Sequence, residues 1–322
     1  MQITKLAIAL LTIFTLGCSS STDEDGAANS GQSGSGTIGV SLLTLENPFF
    51  KVIGDTIAAE AEKHGYATNV LSAEESIEKQ SDQVKDFIVS ECAAIVLCPC
   101  DPVAIGPIIK EANAAGVPVF TVDIPCALDD VDIVCQIATD NYGGGKEAGN
   151  GMIEALPDGG KVAVLHYKQA QSCQLRVQGF TEVIDAHNAS SDTNIEIVQV
   201  LEGGAAKDKS AAAADDILQT HSDLAGIFAI NDPSALGARA ALEKAGKADQ
   251  VKIIGFDGMP EGKQAIKEGK IFADPIQFPA KMATEVVNAI VKNSNGEPVE
   301  KEILIPTSLY RQADGLADPD LK

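Results

Sequence analysis

Tryptophan is absent from this 322-residue chain, and aromatic residues of all kinds make up only 4% of it. A phenylalanine that falls outside an apolar run therefore carries weight. Basic residues are also scarce: 24 Lys and Arg stand against 46 Asp and Glu, a formal net charge of −22. A chain so acidic repels phosphate backbones and anionic lipid, which excludes nucleic acid as a partner. Only four histidines occur, and His64, His166, His187 and His221 are scattered without metal-ligand spacing. There is no nucleophile elbow. Gly143-Gly144-Gly145-Lys146 has the look of a phosphate loop, yet Glu147 stands where Ser or Thr must follow the lysine, so the run is read as the opening of a helix. No enzyme, cofactor or metal site is expected.

Long apolar runs are missing too. Leu6 to Leu16 is apolar apart from Thr12 and Thr15, preceded by Lys5. That run is too short to span a bilayer as a mature helix and reads as an export signal over residues 1–17. It ends in Thr15-Leu16-Gly17-Cys18 followed by serines, which resembles the lipobox of bacterial lipoproteins, with Thr15 where that motif usually has Leu. The expected mature chain begins at a lipidated Cys18. Residues 18–36 are then a Ser/Gly/Asp/Asn tether. An exported, periplasmic, membrane-anchored protein follows, touching the membrane through its lipid only.

Six cysteines remain, and export permits disulfides. Cys126 and Cys135 flank a short polar stretch between two apolar runs and are the best-placed pair; six thiols allow many other connectivities. Zinc is a weaker reading, because Cys98-Pro99-Cys100 is tighter than a two-residue knuckle.

From Thr37 onward short β-branched runs alternate with helical patterns. Ile38–Leu42, Ala67–Leu71, Ala94–Cys98, Val117–Val122 and Ile133–Ala138 read as strands in the first half. Lys161–Leu165, Ile195–Leu201, Gly226–Ala229, Val251–Phe256 and Ile271–Ile276 follow in the second. Strands alternating with helices make βαβ units and parallel sheets, and continuously apolar strands are covered on both faces. There are too many units for one sheet. The expected fold is α/β: two doubly wound, Rossmann-like lobes, divided near Thr139-Asp140-Asn141.

Ligands bind beyond the carboxyl ends of such strands. The residues there are Asn47, Phe49 and Phe50 after the first strand and Asp123 after the fourth. Arg176, Asn231, Asp257 and Gln277 follow strands of the second half. Two phenyl rings, carboxylates, carboxamides and one guanidinium suit a sugar. Each hydroxyl both donates and accepts, and the ring's C–H face can lie on an aromatic surface. Singly, each residue has a plainer role: Asn and Asp after strands cap helices, and Phe49 and Phe50 fit a core. Their joint occurrence points to a site.

The order of motifs resembles the ribose-binding family of periplasmic proteins, type I substrate-binding proteins of ABC transporters, from Thr37 to about Tyr310. It is carried by Asn47-Pro48-Phe49-Phe50, Val119-Phe120-Thr121-Val122-Asp123 and Ala138-Thr139-Asp140-Asn141-Tyr142-Gly143-Gly144. It continues in Arg176-Val177-Gln178-Gly179-Phe180, Ala229-Ile230-Asn231-Asp232, Gly255-Phe256-Asp257-Gly258 and Gln277-Phe278-Pro279. The resemblance implies ligand contacts at Asn47, Phe49, Phe50, Asp123, Arg176, Asn231, Asp257 and Gln277. It also implies hinge crossings near Asp140, Gln277 and Pro306. The N-terminal lobe would then be 37–139 plus 278–306, and the C-terminal lobe 140–277 plus 307–322. The implied partners are a small neutral sugar or polyol and an ABC permease with its ATPase, the chain itself being a monomer. The same clamp could instead present its sugar to a membrane receptor or kinase. The related repressors need a DNA-binding helix pair where this chain has its export signal.

Two positions depart from the family. Ile124 stands where ribose binders have Arg after the strand-end Asp, and Ala205 where they have an aromatic. The pocket thereby loses a guanidinium and a ring. This points away from ribose itself toward a bulkier, deoxy or methylated sugar, or a polyol.

Overall fold

Two six-stranded sheets organise the chain in the computed structural model, which describes residues 36–321. The first contains β1 (Thr37–Leu42), β2 (Ala67–Ser72), β3 (Ala94–Leu97), β4 (Val119–Val122) and β5 (Cys135–Thr139), and is joined at its edge by β11 (Glu302–Ile305). The second contains β6 (Gly160–His166), β7 (Ile195–Glu202), β8 (Leu224–Ala229), β9 (Lys252–Ile254) and β10 (Ala273–Ile276), with β12 (Ser308–Arg311). The strand orders are 11-5-4-3-1-2 and 12-10-9-8-6-7. All pairings are parallel except β10 with β12. Each sheet is doubly wound, reversing its strand order beside β1 and beside β6. The export signal, Cys18 and the tether as far as residue 35 lie outside the described residues.

Helices cover both faces of each sheet, which is why the central strands are largely apolar, while the edge strands β2 and β7 keep polar, partly exposed positions. On one face of the first sheet, α1 (Pro48–Lys63) and α9 (Pro279–Ser294) pack against Ile38, Val40 and Leu42. On the other, α2 (Ile77–Val89) and α3 (Gly106–Ala114) pack against Ile95 and Leu97. The second sheet has α4 (Asn141–Ala155) and α5 (Gln171–Ser190) on one face. Its other face carries α6 (Lys207–Thr220), α7 (Asp232–Lys244) and α8 (Pro260–Lys267). A short α10 (Gln312–Ala317) closes the described chain.

The chain passes between the sheets three times: after β5, after β10 and between β11 and β12. Thr139 and Gln277, at the first two passages, meet through their side chains, the hydroxyl donating to the amide oxygen.

Gly143-Gly144-Gly145 does open a helix. Asp140 caps α4 by accepting from the Gly143 amide at 2.8 Å. The glycines serve packing: a Cβ on Gly145 would lie 2.1 Å from the Arg176 carbonyl oxygen, and one on Gly179 would lie 2.2 Å from that of Tyr142. The two helices therefore approach backbone to backbone, and that approach fixes where Arg176 emerges.

The expected Cys126–Cys135 bridge is not made; all six described cysteines are free thiols. Cys135 is buried within the cluster on the α1/α9 face, while Cys126 packs against the cluster on the α2/α3 face. The sheet stands between the side chains, a relation that closeness in sequence does not disclose.

Candidate functional site at the strand ends

Asp123 follows β4 and Asp257 follows β9, and both have positive φ, 66° and 102°. Such conformations are unusual for a residue with a side chain and cost about 1–3 kcal/mol. In each case the turn swings a carboxyl beyond the carboxyl edge of its sheet. Although they belong to different lobes, the two carboxyls and the Arg176 guanidinium feel one another's charge.

Arg176 is the best-anchored member. Only 6% exposed on α5, it donates from Nε to Asn141 Oδ1 at 2.8 Å. Its Nη1 donates to the Ile230 carbonyl at 2.8 Å and to Asp257 Oδ1 at 2.9 Å. The guanidinium lies over the Phe256 ring, 3.8 Å from the centroid. Asp257 Oδ1 also accepts from Gln277 Nε2 at 2.7 Å, so the passage between the lobes is tied to the ion pair. These bonds engage Nε and Nη1 of the arginine and Oδ1 of the aspartate. Among the described residues, Nη2 and Oδ2 have no hydrogen-bond partner. The two N–H groups of Nη2 and the acceptor Oδ2 remain on the same ion pair, able both to donate to and to accept from a hydroxyl group.

Asp123 faces this pair from the other lobe. Burial raises its carboxyl, Arg176 opposes the rise and Asp257 adds to it, so that the group stands at about 6. Near neutral pH it is mostly ionised and accepts hydrogen bonds. Burial likewise raises Asp257, while Arg176 and Gln277 oppose the rise. Two carboxylates and one guanidinium leave a net charge near −1.

The other predicted residues gather in two places. Asn47 caps α1, its Oδ1 accepting from the Phe49 amide at 2.9 Å, and Phe49 and Phe50 meet edge to face with centroids 5.2 Å apart. Phe50 is buried in the core, whereas Phe49 is half-buried at the helix start. Asn231 caps α7, accepting from the Ser234 amide at 2.9 Å, and donates to the Ala205 carbonyl at 3.1 Å. Ala205 itself has φ 53° and packs on the α4/α5 cluster; Ile124 packs on the α1/α9 cluster. Asn47 and Asn231 thus hold their helices, as Asn after a strand commonly does.

Three contributors escaped the sequence reading: Thr139, Asn141 and Phe256. Each stands in a motif quoted above, but none directly follows a strand as an ionisable group, so nothing marked Asn141 and Phe256 as supports for Arg176 or Thr139 as the partner of Gln277.

Two doubly wound lobes, a thrice-crossing chain and polar groups at facing strand ends define a periplasmic binding protein. The chain belongs to that family: residues 38–298 match the periplasmic binding protein domain. It is 34% identical over 278 residues to the ribose import binding protein of Salmonella typhimurium, covering 85% of this chain and 90% of that one. It is 33% identical over 314 residues to the D-apiose import binding protein of Paraburkholderia graminis, covering 96% and 94%. A solved solute-binding protein of an ABC transporter from Mycobacterium smegmatis, with bound glycerol, shares 30% identity with a TM-score of 0.75, over 88% of this chain and 96% of that one. A periplasmic solute-binding protein from Actinobacillus succinogenes with bound D-allose matches in fold with a TM-score of 0.80 at 23% identity, over 88% of this chain and all of that one.

Proposed function

We propose that this chain is the substrate-binding lipoprotein of an ABC importer, anchored through Cys18, which captures a neutral monosaccharide or polyol by closing its two lobes about the strand ends. The observation that carries this reading is the Arg176–Asp257 pair. Each partner is fixed by the protein at one end and offers a free donor or acceptor at the other. Asp123 on the opposite lobe supplies the second acceptor. A ligand hydroxyl array bridging Asp123 to Arg176 and Asp257 stabilises the closed arrangement over the open one, which is what a clamp requires.

Hydrogen bonds to charged groups contribute about 1.5–3 kcal/mol each, so a few of them offset the cost of association at micromolar affinity or better. Phe49, half-buried beside Asn47, is assigned to the apolar face of the sugar ring. Import rather than sensing is the reading its import-binding relatives support.

The test is a thermal-shift screen with D-ribose, D-apiose, D-allose, deoxy and methylated sugars, and myo-inositol. A ligand at a hundred times its Kd raises stability by about 2.7 kcal/mol. The pocket's lost ring and guanidinium predict that D-ribose is not the strongest binder. Mass spectrometry of the native N-terminus tests the anchor, the expected species being a lipidated Cys18.

A further inference from the structure

Behind Asp257 lie two further carboxyls that the clamp does not use. Asp232 opens α7 and Asp274 sits within β10, and they are 1% and 0% exposed. Their carboxyls face each other within hydrogen-bond reach. Among the described residues, Asp232 Oδ1 and both oxygens of Asp274 are buried with no donor. The space for them comes from two glycines: a Cβ on Gly262 would lie 1.9 Å from Asp232 Oδ1, and one on Gly255 would lie 2.4 Å from Asp274 Oδ1.

Among the described residues, no cation forms an ion pair with either carboxyl. On the elements packed around it, Lys263 of α8 is held by Asp318, Arg239 of α7 by Glu243, and Arg311 of β12 by Glu154. Tyr310, opposite Asp274 on β12, turns its hydroxyl to Asp318. The charged group that does act on the pair is Asp257, a like charge, itself bound to Arg176. Two adjacent carboxylates cannot both stay ionised in such a place, so one proton is retained and supplies the missing donor. Burial and Asp274 push Asp232 well above the carboxylate range, while Asp274 rises to about 6.

The remaining oxygen has a task. Asp232 Oδ2 accepts from the Met259 amide at 2.6 Å, pinning the far side of the turn in which Asp257 and Gly258 both have positive φ. Asp274 lies against Gly255 on the near side of the same turn. Resting on the sugar-clamp reading, we propose that Asp232 and Asp274 are positioning residues: a proton shared between them holds the 255–259 turn so that Asp257 stays aligned with Arg176, and losing that proton loosens the clamp.

The direction follows from the chemistry. The proton is present near neutral pH and leaves as pH rises through the raised midpoint of Asp232. Sugar affinity then falls by at most about tenfold per pH unit above that midpoint, levelling off at the affinity of the loosened form. Asp274→Asn keeps the shape and supplies a permanent donor, and so does Asp232→Asn, so in either variant the alkaline fall disappears.

Two measurements on the exported chain test this. Carboxyl-carbon NMR without ligand, in parallel with exchange of the Met259 amide, reads the pair directly. The expected result is one carboxyl still protonated near neutral pH, Met259 protection lost at its midpoint, and both features abolished in Asp274→Asn. Carboxyls that all ionise in the ordinary range, or Met259 protection indifferent to pH, overturn the proposal. Calorimetric titration with D-ribose, D-apiose and D-allose from neutral to alkaline pH reads the consequence; identical pH profiles for the native protein and both Asn variants overturn it. If none of these sugars binds, the clamp reading fails and the NMR experiment still judges the pair.

Discussion

The guanidinium of Arg176 lies flat on the ring of Phe256, 3.8 Å from its centroid, while Asp257, the next residue in the chain, takes its Nη1 at 2.9 Å. Two consecutive residues therefore hold one side chain by different forces, and the bonds to Asn141 and Ile230 complete its fixation. Arg176→Ala leaves Asp257 as an uncompensated, largely buried charge. The expected loss of stability is about 3–5 kcal/mol, measured by urea unfolding. Arg176→Lys does not rescue it, because an ammonium cannot serve three hydrogen-bond partners in one plane while stacking flat on a ring. Ligand affinity in Arg176→Ala falls below that of Asn47→Ala by about 1–3 kcal/mol. Unchanged affinity in Arg176→Ala would place the residue outside the site.

Gly179→Ala tests the helix contact behind the arginine. Its Cβ would lie 2.2 Å from the Tyr142 carbonyl oxygen, so α4 and α5 must part. Overpacking of this kind costs about 1–3 kcal/mol, and here it also displaces Arg176. Thermal unfolding and sugar titration should both register the change. A variant with native stability and affinity would mean that the close approach of the helices plays no part in the site.

Asp123 gives binding and stability opposite responses to mild acid. Its carboxyl is raised to about 6, so the folded protein holds a proton there that the unfolded chain releases. The unliganded protein is thus stabilised by this group at low pH, and that contribution disappears as pH rises from the ordinary carboxylate value through about 6. Asp274, also raised to about 6, acts in the same sense. A sugar hydroxyl donating to Asp123 needs the ionised form, so affinity should fall as pH drops through that midpoint. Calorimetry and thermal unfolding across this range check both signs. In Asp123→Asn the acid dependence of affinity should diminish.

Most of the architecture was legible because strand and helix periods differ and the central strands are largely apolar on both faces. The strands from Ile38 to Ile276 were all anticipated to within a few residues. β11 and β12 were not: Glu302–Ile305 is half-exposed at a sheet edge, and Ser308–Arg311 pairs antiparallel, so neither has the continuous apolar run of a central strand. The ionisable groups after strands pointed to Asp123, Arg176 and Asp257. What sequence could not convey is how each is oriented: Asn141 and Phe256 act only through Arg176, and Asp232 and Asp274 are forty-odd positions apart on different elements.

The thiols provide an independent check of the packing. Cys98 and Cys135 are fully buried, and burial raises both, Cys135 to about 11. Cys126 is partly exposed. Alkylation of the folded exported chain should label Cys126 and spare Cys98 and Cys135 until denaturant is added, since only an accessible thiolate reacts. Non-reducing peptide mapping that recovers Cys126 linked to Cys135 would contradict the placement of the two residues on opposite faces of the sheet.

The central claim is a pocket of net charge near −1 that closes on neutral hydroxyl groups. Calorimetric titration of the exported chain with the best neutral sugar of the screen, and then with its aldonic acid and its phosphate ester, tests this most directly. The neutral sugar is predicted to bind at micromolar affinity or tighter, while each anionic derivative is weaker by at least about tenfold, because Asp123 and Asp257 repel it. Binding of the acid or the phosphate as tight as that of the parent sugar would contradict the account.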